Sequence, residues 1–335
     1  MKGEIQETAP AQGYSDKLVG NTQVLEHLGH AFERGRLAHA YLFVGPDQVG
    51  KMTAARIFAG RLLGDAAAVD RHPDFCVVER ERDAKTGKLH GAIVIEQVQA
   101  LIGRIARGAF IGGWKVCILD GADLLNDAAA NALLKSLEEP HGQTMLILVA
   151  PSADSVMPTL KSRCQIMAFG TVPFAEISAA LASEGLPREQ ADLFARLSGG
   201  RPGAALALAR DPARFRSMRE ARESVLRLLE GGAPERFEEI GRALPPKLPF
   251  RESVDRAGAL LDMATEILHD AFLAASGQEK SVMHLDVYDR IAALINGHPG
   301  LSGVLAALEE VEPSKKMLKE NVSPRAVLER FALSF

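Results

Sequence analysis

The sequence is poor in cysteine. Its three, Cys76, Cys117 and Cys164, stand far apart and form no Cys-x-x-Cys pair, so neither a zinc site nor a disulfide framework is indicated. Aromatic residues make up only 5% of the chain, with a single tryptophan, and Trp114 reads as a packing anchor rather than a stacking platform. No apolar run is long enough to span a bilayer and no signal-peptide core stands near the N-terminus, so the expectation is a cytoplasmic protein with no membrane partner. Excess charge is also lacking: a net of −4 argues against strong autonomous nucleic-acid binding while leaving room for a local basic patch. There is no histidine cluster to suggest a metal, and no Ser-His-Asp or Cys-His grouping is defensible from spacing. What is present is an ordinary hydrophobic fraction, 47% in 335 residues, enough for two or three domains.

The chain turns on the stretch from Tyr41 to Met52, a buried strand followed by a glycine-bounded loop and a helix start. Gly45, four intervening residues, Gly50 and Lys51 match the phosphate-cradling P-loop, in which backbone N–H groups and a lysine meet phosphates at a helix N-terminus. A hydroxyl should follow the lysine to hold magnesium, but Met52 stands there, and Thr53 is one place late. The plain alternative is a tight strand–helix connection with no ligand. Asp120 ends a second apolar strand, Val116 to Leu119, as a Walker-B aspartate does, although a strand-end aspartate is often only a helix cap. The carboxylate that usually follows, to polarise the attacking water, is replaced by Gly121, and Asp123 lies on the next turn. Together these residues read as a nucleotide site that has lost parts.

Around them, apolar positions at helical and strand spacing alternate up to about Gly170, predicting a parallel sheet with helices on both faces. Strands are expected at Phe75 to Val78, Val116 to Asp120 and Met145 to Val149, and a helix at Asp127 to Glu139, capped by Asn126 and stopped by Pro140. Residues up to about Tyr14 read as a loose arm, and Arg80 to Lys88 as an exposed loop or hairpin. Beyond Gly170 the strand signals end. Helices are expected at Pro173 to Ser183, Pro187 to Leu197, Pro202 to Ala209, Phe215 to Leu229, Phe237 to Ala243, Arg251 to Ala275, Val282 to Ile295, Leu301 to Val311 and Pro324 to Leu333. Asp211-Pro212 reads as a hinge, and Ser323 as a cap before a proline at the first helical position. Leu260, Leu261, Ala264, Ile267 and Leu268 form an apolar stripe.

Several segments carry a family resemblance. Asn126 to Pro140, with its Leu133-Leu134-Lys135-Ser136-Leu137-Glu138-Glu139-Pro140 run, resembles the signature of the AAA+ clamp loaders. So do Thr159 to Cys164, containing Ser162-Arg163-Cys164, and Arg36 to Phe43, where Ala38 replaces a common histidine. Asn321 to Arg325 is similar to the start of the last collar helix. The resemblance covers nearly the whole chain.

It implies an α/β AAA+ (RecA-like) base over residues 1–170, a helical lid over 171–212 and a helical collar over 213–335. Five such subunits usually form an open ring, so residues from about Ala213 onward are expected to mediate assembly. The ATPase subunits of this family keep a magnesium Ser/Thr, a Walker-B glutamate and a sensor arginine. This chain has Met52, Gly121 and Gly203 there, Arg201 being two places early, and Ala150-Pro151 at the polar sensor-1 place with Ser152 beyond. The resemblance therefore implies a non-hydrolysing subunit of a bacterial DNA polymerase III clamp loader. Its Gly45, Gly50, Lys51 and Asp120 would be a vestigial site with at most passive ATP or ADP, and Arg163 would act in trans as an arginine finger. Its partners would be tau/gamma and delta subunits, the sliding clamp and primer–template DNA. Many relatives carry a four-cysteine zinc module after the P-loop helix; here Gly64 to Asp70 has no cysteine, so no zinc is expected. The rival readings are an active tau/gamma-type ATPase and a P-loop small-molecule kinase.

Overall fold

A computed structural model describes residues 17–82, 90–111, 113–139, 142–297 and 299–335. The arm up to about Tyr14, most of the 80–88 stretch and Pro140 lie outside them. Five strands, β1 (Ala40–Val44), β2 (Phe75–Val78), β3 (Lys115–Asp120), β4 (Thr144–Ala150) and β5 (Gln165–Ala168), form one sheet in the order β2-β3-β4-β1-β5. Every pairing is parallel, with Tyr41 opposite both Ile147 and Gln165, and Cys76 opposite Cys117. All residues of β1 and β4 are buried, as parallel strands covered on both faces must be.

Alternate side chains feed two apolar layers, because successive strand residues point to opposite faces. Tyr41, Phe43, Ile118 and Ile147 pack with α1 (Thr22–Glu33) and α2 (Lys51–Leu63). Leu42, Leu119, Leu146 and Leu148 pack with α3 (Ile95–Ala106) and α4 (Asp127–Glu138). Trp114 is half-buried against the first layer. Asn126 caps α4, its Oδ1 accepting from the Ala129 N–H at 2.9 Å. The parallel sheet with helices on both faces, followed by a mostly helical remainder, is the α/β architecture that the sequence predicted.

Two elements were not expected, and the helix expected from Val282 begins only at Tyr288, after 3-10 turns at Glu279–Ser281 and Leu285–Val287. α5 (Pro158–Lys161) precedes β5, and β5 escapes notice because only Met167 of its four residues is buried, so no alternation marks it. The chain then continues through α6 (Phe174–Ser183), α7 (Arg188–Leu197), α8 (Pro202–Arg210), α9 (Pro212–Glu230), α10 (Ala233–Ala243), α11 (Phe250–Ala275), α12 (Tyr288–Asn296), α13 (Gly300–Lys319) and α14 (Pro324–Ala332). Asp211 is a cap: its Oδ1 accepts from Ala213 N–H and Arg214 N–H, and Pro212 opens α9. Ser323 holds the cap position of α14 without a side-chain hydrogen bond. α13 runs through Pro313 to Lys319, past its expected end at Val311. The proline loses one ladder bond, but Ser314 and Leu318 beyond it are buried, so packing carries the helix on.

By contacts the chain forms two compact units. One ends at Gly185 and takes in Gly200–Ala204; the other comprises Leu186–Gly199 and Ala205–Phe335. In the second, the α11 stripe of Leu260, Leu261, Ala264, Ile267 and Leu268 is buried among Val225, Leu229, Val304 and Phe331. That stripe is consumed inside the unit and is not an exposed assembly surface.

Candidate functional site

The P-loop connects β1 to α2 and is closed on itself. Lys51 is 6% exposed. Its ammonium donates to the Gly45 carbonyl and, at 2.9 Å, to the Pro46 carbonyl, with the exposed Asp47 carboxylate 3.7 Å away. Burial pushes the Lys51 pKa down, and Asp47, Asp120 and Asp123 pull it back. The cation that would meet a terminal phosphate thus has its donors on the loop's own carbonyls. Gly45 and Gly50 both have positive φ, 148° and 104°. A Cβ on Gly45 would lie 2.2 Å from the Phe169 carbonyl oxygen, and one on Gly50 2.6 Å from Leu18 Cδ1. Met52 packs half-buried against the apolar layer beneath α2, which suits a thioether and offers magnesium nothing.

Asp120 ends β3 partly buried, and burial raises its pKa, with Glu79 adding to the rise and Lys51 and Arg56 opposing it. Asp120 and Lys51 lie close enough for each to influence the other's charge. Gly121 is more than a missing carboxylate. Its φ of 99° lies where side chains are rarely accommodated, and its Cβ would sit 3.0 Å from Leu124 Cδ1. Asp123 falls in the short 3-10 turn Ala122–Leu124. Ser152 is spent locally, its Oγ accepting from the Ser155 N–H at 3.2 Å.

Two contacts at the loop were not visible in the sequence. The Gly203 N–H donates to the Gln48 carbonyl at 2.9 Å, and a Cβ on Gly203 would be 3.0 Å from Gln48 Cβ and 3.1 Å from its carbonyl oxygen. The position of the expected sensor arginine is a backbone-to-backbone contact on the P-loop. Asn21 is the second. Its Nδ2 donates to the Val49 and Gly170 carbonyls, and its Oδ1 accepts from the Gly170 N–H. Asn21 thereby ties the loop to the exit of β5. A lone asparagine beside a glycine reads only as a turn, so no sequence signal singled it out.

Arg163 follows α5 at the start of the edge strand, with 34% of its side chain exposed. It does not join the P-loop residues. Nε donates to Glu138 Oε1 at 2.9 Å, Nη2 donates to the same oxygen, and Nη1 donates to the Thr159 carbonyl at 2.9 Å and to Ser162 Oγ at 3.3 Å. Four of the five guanidinium N–H groups are therefore held within the chain. Two donors converging on one Glu138 oxygen, with two more on Thr159 and Ser162, also explain why an arginine, not a lysine, suits this place. Glu138 was legible only as part of the motif.

Residues 20–173 match the family model described as DNA polymerase III, delta subunit. The chain is 38% identical over 187 residues to the DNA polymerase III subunit delta' of Pseudomonas aeruginosa, covering 50% of this chain and 55% of that protein. The match thus spans about half of that relative's length. To subunit delta' of Bacillus subtilis it is 27% identical over 328 residues, covering 93% of this chain and 94% of the relative. To subunit tau of Bacillus subtilis it is 26% identical over 333 residues, covering 94% and 56%. With the P-loop, the strand ending in Asp120 and the Ser162-Arg163-Cys164 segment placed as they are, residues 20–173 carry the segment described as DNA polymerase III, delta subunit, and over nearly its whole length the chain is similar to the delta' subunits of DNA polymerase III.

Proposed function

We propose that the chain is a non-hydrolysing, delta-prime-type subunit that supports ATP-dependent loading of a sliding clamp onto primed DNA. In this reading it lends Arg163 to the ATP of a neighbouring tau/gamma-type subunit. The observation that carries the proposal is the replacement of catalytic groups by backbone. Gly121 sits at a φ of 99°, where a side chain is strained, and Gly203 presses its N–H onto the P-loop, where a Cβ would crowd Gln48, so both positions disfavour the side chain an ATPase needs. Phosphoryl transfer depends on positioned metal and charge, and Met52, Gly121 and Gly203 supply none.

Residues 1–170 would serve as the base, 171–212 as the lid and 213–335 as the collar that holds the ring. Partners would be tau/gamma and delta subunits, with the clamp and primer–template DNA met in the complex, in the cytoplasm. No cofactor or zinc is required. Lys51 would have to leave the Gly45 and Pro46 carbonyls before any ATP or ADP could bind passively. Arg163 would have to leave Glu138. An exposed pair of this kind is worth at most about 1 kcal/mol, whereas an engaged arginine finger accelerates hydrolysis by roughly 10³–10⁵.

The test is Arg163→Ala in a reconstituted loader whose assembly is checked separately. DNA- and clamp-stimulated hydrolysis at the adjacent site should fall sharply while the ring persists, and Arg163→Lys should recover little. Unchanged hydrolysis at that site in an intact ring rules the finger out. ATP turnover by the isolated chain that Lys51→Ala abolishes would favour the tau/gamma-type reading instead.

A further inference from the structure

The parallel pairing of β2 with β3 does what sequence spacing could not: it sets Cys76 directly opposite Cys117. Both side chains enter the same apolar layer, and their sulfurs lie 2.8 Å apart. Paired backbones in a sheet stand about 4.8 Å apart, inside the roughly 4.4–6.8 Å range of Cα separations that disulfides span. The strand spacing is therefore compatible with a disulfide, and the sulfurs have less than 1 Å to close to reach the bonded length of about 2.05 Å.

Cys76 also faces a way in. It lines a cavity of about 470 Å³ together with Asp74, Phe75, Arg104, Phe110 and Lys115. The cavity has a fixed wall: the buried Asp74 carboxylate accepts the Phe110 and Ile111 N–H groups, and Lys115 donates to the Arg104 carbonyl at 2.8 Å and to the Gly108 carbonyl. Cationic groups in such a space favour a thiolate over a thiol. Cys117 is fully buried behind Cys76.

We propose that Cys76 and Cys117 are a redox-active dithiol that a low-molecular-weight disulfide, entering through this cavity, converts to an intrachain disulfide. The Cys76 thiolate attacks one sulfur of the incoming disulfide and forms a mixed disulfide. The other half leaves as a thiolate and takes up a proton. Cys117 then loses its proton and attacks the Cys76 sulfur, expelling the second half as a thiol. The protein is oxidised by two electrons and one small disulfide is reduced to two thiols. The order of attack agrees with the environment of each sulfur. The contact with Cys117 holds the Cys76 pKa below its ordinary value, helped by Arg104 and Lys115, while the same contact and burial raise that of Cys117. Burial pushes Cys164 up to about 12, so it should remain a bystander.

The full folded chain is incubated with oxidised glutathione, quenched in acid, unfolded and alkylated with N-ethylmaleimide. Intact mass and peptide mapping should then show one maleimide, on Cys164, and a peptide pair joined through Cys76 and Cys117. The chain reduced with dithiothreitol should take three maleimides. Cys117→Ser should retain one glutathionyl group on Cys76, and Arg104→Gln should slow the first step by roughly three- to tenfold through a smaller thiolate fraction. Three maleimides after oxidation, a glutathionyl group persisting on Cys76 of the native chain, or consumption of Cys164 in its place would each overturn the proposal. So would an unchanged rate in Arg104→Gln.

Discussion

Gly121→Glu, which places a glutamate where the proposed function has lost one, should damage the protein without awakening it. At a φ of 99°, a residue with a Cβ carries about 1–3 kcal/mol of backbone strain. The loss of glycine's freedom in the unfolded chain gives back about 0.4–1 kcal/mol. The Leu124 Cδ1 contact at 3.0 Å is with the end of a flexible side chain and can yield. The net expectation is about 1–2 kcal/mol of destabilisation. Gly121→Ala separates the causes: if the backbone is responsible, alanine and glutamate should agree to about 0.5 kcal/mol. Trp114 provides the assay. It is the chain's one tryptophan and packs against the core layer that Val116 and Ile118 of β3 help to form, so its fluorescence during guanidinium unfolding reports on the unit that contains Gly121. ATP turnover should stay at background even when Met52→Thr is added, because Gly203 still brings only a backbone N–H to the P-loop. A Gly121→Glu chain as stable as the parent, or one that hydrolyses ATP, would refute the reasoning.

Asp120→Asn should stabilise the chain at neutral pH. Burial holds the carboxyl above its ordinary 3.8, so the folded chain keeps this proton better than the unfolded chain, and that advantage is lost as pH rises through the folded pKa. The gain from asparagine should therefore grow from acid to neutral pH and vanish below about 3.8; Trp114 unfolding midpoints across that range check it, and a pH-independent gain contradicts it. Gly203→Ala should destabilise by about 1 kcal/mol, because its Cβ forces Gln48 away and weakens the backbone hydrogen bond to the Gln48 carbonyl by more than alanine's helix preference returns. Amide exchange at residue 203 should quicken in that variant's neighbourhood, and a stabilised protein would show that the contact on the P-loop is not tight.

The sheet was legible because its strands are apolar throughout. Tyr41 to Val44 and Met145 to Val149 are continuous apolar runs, and the glycine-lysine turn marked the passage from the first of them into a helix; the strand order was not read from the sequence. β5 was not, since Gln165, Ile166 and Ala168 are exposed and its membership is decided by pairing with Tyr41 to Val44. The P-loop, Asp120 and Arg163 were found by residue type and place. What holds them was not. Lys51 turning back to Gly45 depends on the path of the loop backbone, and Gly203 resting on Gln48, Asn21 tying Val49 to Gly170 and Glu138 gripping Arg163 are contacts between distant segments, which local periodicity cannot encode. The pairing of Cys76 with Cys117 is of the same kind: two cysteines that looked unrelated become neighbours through sheet order alone.

That sheet order also bears on how the chain emerges from a ribosome. β1 is made early, yet it lies between β4 and β5 and can complete its hydrogen bonds only when Thr144–Ala150 and Gln165–Ala168 exist. At synthesis rates of about 5–20 residues per second, the nascent Ala-Tyr-Leu-Phe-Val segment waits on the order of ten seconds with nothing to pair with. During that interval it is a short, uncharged, β-prone stretch, the kind that holdase chaperones and neighbouring nascent chains both find. Slower translation should prolong its exposure, so the protein's yield in cells should track the elongation rate between β1 and β5 as well as the stability of the finished fold.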